Sequence, residues 1–219
     1  TIASLAQSAA TCRNLLVLKV HNWELSASLR DVFVCCEQLQ EFCYHFCISR
    51  YSTSEPLLTS VHLETIVCNN LKYLELTNRD VDLVAAFLRM AVAVDVVVLS
   101  PDDVPLNGIP ESMSSTTHTL AMNGCTIDES LVRFASLGER IENLSFRWSY
   151  IADGAIGCLC KFPNLRALDL TGAEYASDNA EECLKALVEC FGGKLTELLL
   201  SCCDPGMSLT FVLPVLPSF

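Results

Sequence analysis

Apolar residues recur along this chain as Leu-x-x-Leu-x-Leu, most plainly at Leu165, Leu168 and Leu170. The same spacing is found at Leu15/Leu18/Val20, Leu39/Phe42/Tyr44, Leu71/Leu74/Leu76, Val94/Val97/Leu99, Thr117/Leu120/Met122, Ile141/Leu144/Phe146 and Leu195/Leu198/Leu200. In chain order the eight starting positions lie 24, 32, 23, 23, 24, 24 and 30 residues apart. Five of the seven intervals agree within one residue, so the chain is read as an irregular repeat. The two long intervals are assigned to an insertion at 50–56 and to an extended helix around 180–193.

The fourth and sixth positions of each segment alternate with period two, which predicts a short strand burying both on one side. A single strand cannot bury that side alone, but stacked copies share one continuous apolar row. Parallel neighbours need crossovers, and apolar spacings of three and four predict helices over 80–93, 128–140 and 178–190. Asp128 and the pair Asp178/Glu181 look like helix starts, and Gly192-Gly193 looks like a helix end. The expected fold class is α/β: a solenoid of about eight irregular repeats, with a parallel inner sheet and outer helices. Residues 1–204 are taken as the solenoid and 205–219, where three prolines break the period, as an irregular or truncated end.

This pattern resembles the leucine-rich-repeat family over roughly residues 12–204. The segment Leu120-Ala-Met122-Asn-Gly-Cys125-Thr-Ile127-Asp128-Glu-Ser-Leu131 is similar to the ribonuclease-inhibitor-like and cysteine-containing repeats of F-box substrate receptors. Ser149-Tyr-Ile151-Ala-Asp153-Gly-Ala-Ile156 echoes its second half, while Trp23, Arg79, Asp102 and Ser149 stand where other repeats have the cysteine. The resemblance implies a horseshoe, a concave binding face, and the substrate-recognition part of a ubiquitin-ligase receptor with an adaptor-binding domain elsewhere in the full-length protein. The chain starts at Thr1 rather than Met, so a flanking domain is expected.

Composition narrows the partner. There are 26 acidic and 14 basic residues, a net charge of −12, so nucleic acid and anionic membrane are excluded and a protein partner, basic or of mixed charge, is expected. The most lipid-like run, 84–99, is interrupted by Arg89 and Asp95 and falls short of the roughly 20 apolar residues of a membrane span. No secretory leader is legible at Thr1-Ile-Ala-Ser-Leu5. The 13 cysteines are odd in number and lack a disulfide spacing, so they are read as reduced. Cys47, Cys125 and Cys203 take the ninth repeat position, and Cys183 and Cys190 share a buried helix face as small hydrophobes. An intracellular location, cytoplasmic or nuclear, follows as an expectation.

No phosphate loop, nucleophile elbow, metalloprotease or dinucleotide motif occurs; the chain is read as non-enzymatic, with no cofactor. Gly192-Gly193-Lys194 is only a fragment of a phosphate loop, and Asn143-Leu-Ser145 is a formal glycosylation sequon on a predicted strand. In the first two repeats the register puts Lys19 and His21 beside Cys43 and His45. Three nitrogen or sulfur ligands, His21, Cys43 and His45, could therefore converge on zinc; the favoured alternative is an ordinary polar patch.

The fifth and seventh positions should face the concave side. Candidate partner-binding residues are Tyr73, Glu75, Asn123, Arg147, Trp148, Tyr150, Asp169 and Glu197, because interface energy concentrates in Trp, Tyr and Arg. The alternatives are core packing for Tyr73, a staple over the sheet edge for Trp148 and an inert ridge position for Tyr150. Function is read as a protein-interaction scaffold. A regulator of an enzyme, either ribonuclease-inhibitor-like or a GTPase-activating horseshoe, and an extracellular or immune recognition module remain open.

Overall fold

The computed structural model describes residues 13–21, 29–45, 58–77, 80–100, 116–137, 139–152, 154–175, 180–191, 193–201 and 210–211. The insertion at 50–56, Cys47, Cys203, and all of 205–219 but two residues lie outside them. The chain forms two compact units, 1–97 with 112–117 and 98–111 with 118–219.

In the first unit, β1 (Val17–His21), β2 (Glu41–His45) and β3 (Tyr73–Thr77) pair parallel and in register. β4 (Val96–Leu99) begins at the end of this unit, its last two residues being counted with the second, and Asp95 and Val96 both donate to the Lys72 carbonyl. Leu18, Phe42 and Leu74 are register partners, as the alternation requires, and Phe42 and Leu74 are wholly buried. The crossovers are α1 (Leu29–Cys35), α2 (Ser60–Leu63) and α3 (Val81–Met90). Asp80 begins α3 by accepting from the Leu83 amide at 3.0 Å, which satisfies one of the helix's orphan donors. Phe33 of α1, Phe42 and Phe87 of α3 form one aromatic cluster, with centroids 5.0, 5.9 and 5.3 Å apart. Thr117, polar where the repeat calls for an apolar residue, is buried and donates its hydroxyl to the Val94 carbonyl at 3.1 Å.

In the second unit, β5 (Thr119–Met122), β7 (Asn143–Ser145), β9 (Ala167–Thr171) and β11 (Glu197–Ser201) carry the pattern. Leu120, Leu144, Leu168 and Leu198 are successive register partners and all are buried. Each of the eight segments read from the sequence thus carries a strand. The crossovers after β7 and β9 are α4 (Ala155–Leu159) and α5 (Ala180–Phe191). Gly193, at φ +87°, turns the chain out of α5.

Two expectations are corrected. The α-helix expected over 128–140 is a 3-10 helix, Glu129–Leu137. Asp128 caps it through the Ser130 amide at 2.9 Å, and its buried Leu131 and Phe134 are three apart, the repeat of that tighter helix. Tyr150, whose alternative reading was an inert ridge position, starts a strand: β6 (Thr126–Ile127), β8 (Tyr150–Ile151) and β10 (Glu174–Tyr175) make a second, three-stranded parallel sheet. Cys190, expected to be a free buried thiol, is disulfide-bonded to Cys160, which joins the end of α4 to α5. Within 205–219, β12 (Thr210–Phe211) pairs antiparallel with β11.

Candidate functional site

Each unit exposes residues from the sheet face opposite its helices. In the first unit that face is a bonded polar network. Register brings Lys19, Cys43 and Glu75 into one row and His21, His45 and Thr77 into the next. The Tyr73 hydroxyl donates to Glu75 Oε2 at 3.0 Å, and the other Glu75 oxygen lies 3.5 Å from His45 Nε2. His45 Nδ1 is 3.4 Å from the Thr77 hydroxyl. Burial and then the bond to the Glu75 carboxylate push the Tyr73 phenol well above its usual range. Burial, and next the charge of Glu75, raise the Cys43 thiol to about 11. Tyr73 and Glu75 are therefore held in place by each other, with Tyr73 half-buried at the surface rather than in the core.

The zinc arrangement considered for His21, Cys43 and His45 does not form. The two imidazoles share a side, but they stack, with centroids 4.7 Å apart and planes 4° from parallel. Nitrogen lone pairs lie in the ring plane, so stacked rings direct them side by side instead of toward one point. Cys43 is buried beside its register partner Glu75. Among the described residues no group of three or more His, Cys, Asp or Glu could hold a metal ion.

In the second unit Arg147 and Asp169 meet, Nε to Oδ2 at 2.5 Å. Asp169 also accepts from the Thr171 amide at 2.9 Å. Burial works to raise the carboxyl, but the Thr171 bonds and the Arg147 guanidinium outweigh it and hold the carboxyl below its usual range. Asp169 is only 8% exposed, so it serves as an anchor for Arg147 and not as a contact in its own right. Asn123 is likewise engaged: its Oδ1 accepts from the Ser145 hydroxyl and the Arg147 amide, both at 3.2 Å. Glu197 is exposed but stands beside Ala167, a row away from this group.

Trp148 and Tyr150 leave the main sheet altogether. Trp148 has φ +57°, a conformation rare outside glycine, and is 68% exposed. Its six-membered ring lies so close to Gly172 that a Cβ there would fall 2.3 Å from it. Between the two aromatics, Ser149 is buried and takes the inward role that the repeat elsewhere gives to cysteine. Its hydroxyl donates to the Met122 carbonyl at 3.1 Å and accepts from the Cys125 amide at 3.2 Å. Sequence reasoning missed Gly172 and Glu174, although a signal existed. Thr126, Tyr150 and Glu174 are spaced by 24 residues, the interval of the strands themselves.

No family model matches this chain, and no curated protein matches its sequence. Among solved structures it is similar to internalin C2 of Listeria monocytogenes, with a TM-score of 0.56 and 12% identity over 94% of this chain and 86% of that one. It is also similar to an internalin, InlF, of the same organism, with a TM-score of 0.46 and 12% identity over 91% of this chain and 66% of that one. Internalins are leucine-rich-repeat proteins. This chain has a leucine-rich-repeat-like fold. Among the described residues, no helix is long and apolar enough to cross a membrane.

Proposed function

We propose that this chain is a non-enzymatic protein-interaction scaffold that binds a partner protein on the helix-free side of its sheet. The carrying observation is the Tyr73–Glu75–His45 network, a surface aromatic and a carboxylate fixed by bonds at 3.0 and 3.5 Å. Side chains ordered before binding lose little entropy when a partner arrives, which favours recognition. The test is affinity capture with the intact chain followed by titration of the captured partner. Tyr73→Ala or Arg147→Ala should each weaken binding by about 2 kcal/mol. Unchanged affinity for both variants overturns the reading.

The more specific form is substrate recognition in an F-box-type ubiquitin-ligase receptor, in a cytoplasmic or nuclear setting. It rests on the resemblance of the Leu120–Leu131 repeat, with buried Cys125 and Ile127, to cysteine-containing repeats. A three-helix F-box segment encoded upstream of Thr1 supports it, and a gene without one removes it. The Cys160–Cys190 disulfide favours a second reading, an extracellular recognition module, because such bonds persist in oxidising compartments. A Cys160–Cys190 bond that survives glutathione at cytosolic poise supports the second reading, and one that opens supports the first.

A further inference from the structure

We propose that the ridge formed by Trp148, Tyr150 and Glu174, on the small second sheet, is a docking site for an arginine-bearing segment of a partner protein. The proposal rests on the scaffold reading above and moves part of the contact off the main sheet.

Three observations converge on the ridge. Trp148 and Tyr150 are 68% and 45% exposed, the two large aromatics of this unit most open to solvent among the described residues. Glu174 joins the ridge through Tyr150: the two are register partners in parallel strands, and the Glu174 amide donates at 2.9 Å to the carbonyl of Ser149, the residue between the two aromatics. Finally, the indole is held in place. The Trp148 amide donates to the Thr171 carbonyl at 3.0 Å, and the ring rests on Gly172, which has no side chain to lift it. An exposed aromatic in a left-handed backbone conformation costs stability, and its surroundings here maintain it.

The chemistry selects the occupant. A guanidinium is planar, stacks on an indole or phenol face and donates in plane to a carboxylate. Glu174 is exposed and supplies a carboxylate in register with Tyr150, two residues from the Gly172 on which the indole rests. Arg147, the residue before Trp148, does not oppose a second cation because Asp169 pairs with it at 2.5 Å. A purely apolar partner would strip water from Glu174 and return no counter-charge, and an acidic partner would be repelled by it. The net charge of −12 adds a long-range attraction for a basic segment.

Trp148 and Trp23 are the two tryptophans, so a Trp23→Phe chain reports on the ridge through its fluorescence. The probes are a Gly/Ser peptide carrying two arginines and the same peptide carrying two glutamates. The arginine peptide should shift the emission saturably and the glutamate peptide should not. Glu174→Gln, an exposed substitution that leaves the fold intact, should weaken the arginine peptide roughly threefold to tenfold, and Tyr150→Ala similarly. No saturable shift, or equal affinity in Glu174→Gln, overturns the proposal. If the peptide fails while Tyr73→Ala still weakens a captured partner, the ridge falls and the scaffold reading stands. If the peptide binds while Tyr73→Ala and Arg147→Ala leave partner binding intact, the ridge stands and the main-sheet reading falls.

Discussion

The indole of Trp148 occupies the space that a side chain at residue 172 would need, so Gly172 and Trp148 fit only as a pair. Gly172 also sits at φ +69°, where any side chain is strained. Gly172→Ala should therefore destabilise the second unit by roughly 1–3 kcal/mol and displace the indole. Urea denaturation and the emission of Trp148 in a Trp23→Phe background measure both effects. Wild-type stability with unchanged emission would refute the contact.

Leu144 lies in the buried row between Leu120 and Leu168. Leu144→Ala should cost roughly 2–5 kcal/mol through lost burial and the cavity left behind. Val132→Ala, at an exposed position of the 3-10 helix, should cost under about 0.5 kcal/mol. Equal losses from the two would mean that the leucine row is not the core.

Ser149→Ala leaves the Met122 carbonyl and the Cys125 amide without the bonds that its hydroxyl makes with them. A loss of roughly 1–3 kcal/mol is expected from this one-atom deletion, measured by chemical denaturation.

The lowered Asp169 carboxyl makes an acid-side prediction. A carboxyl depressed in the folded state stabilises the fold above its ordinary value of 3.8, and that contribution disappears as pH falls through the lower folded value. Stability should thus decline below about pH 4. Asp169→Asn should be less stable than the parent at pH 7 and lose less on acidification. Parallel pH profiles for parent and variant would exclude this linkage.

Cys43 and Cys68, both raised to about 11 by burial, with Glu75 also acting on Cys43, should be slow thiols. At pH 8 their thiolate fraction is about 100-fold below that of a thiol at the ordinary value of 9.0. Alkylation followed by peptide mapping should find both among the last labelled in the native state. Cys160 and Cys190 should be recovered as one cross-linked peptide, and reduction should cost about 3–4 kcal/mol for a separation of 30 residues.

The leucines alone determined the strands, because period-two burial repeated every 23 or 24 residues admits few arrangements other than stacked parallel strands. Register then placed His21 beside His45 and Lys19 beside Cys43, as counting residues from the strand starts predicts. Counting could not supply ring orientation: His45 is held by Glu75 and Thr77, and His21 stacks on it rather than converging with it. The second sheet and the Cys160–Cys190 bond likewise depended on neighbours 24 and 30 residues away meeting in space. A strand's own sequence states which side is buried. Some polar pairs, such as Tyr73 with Glu75, lie within one strand, but His45 with Glu75, Arg147 with Asp169 and Ser145 with Asn123 join different repeats and are decided only when the copies are stacked.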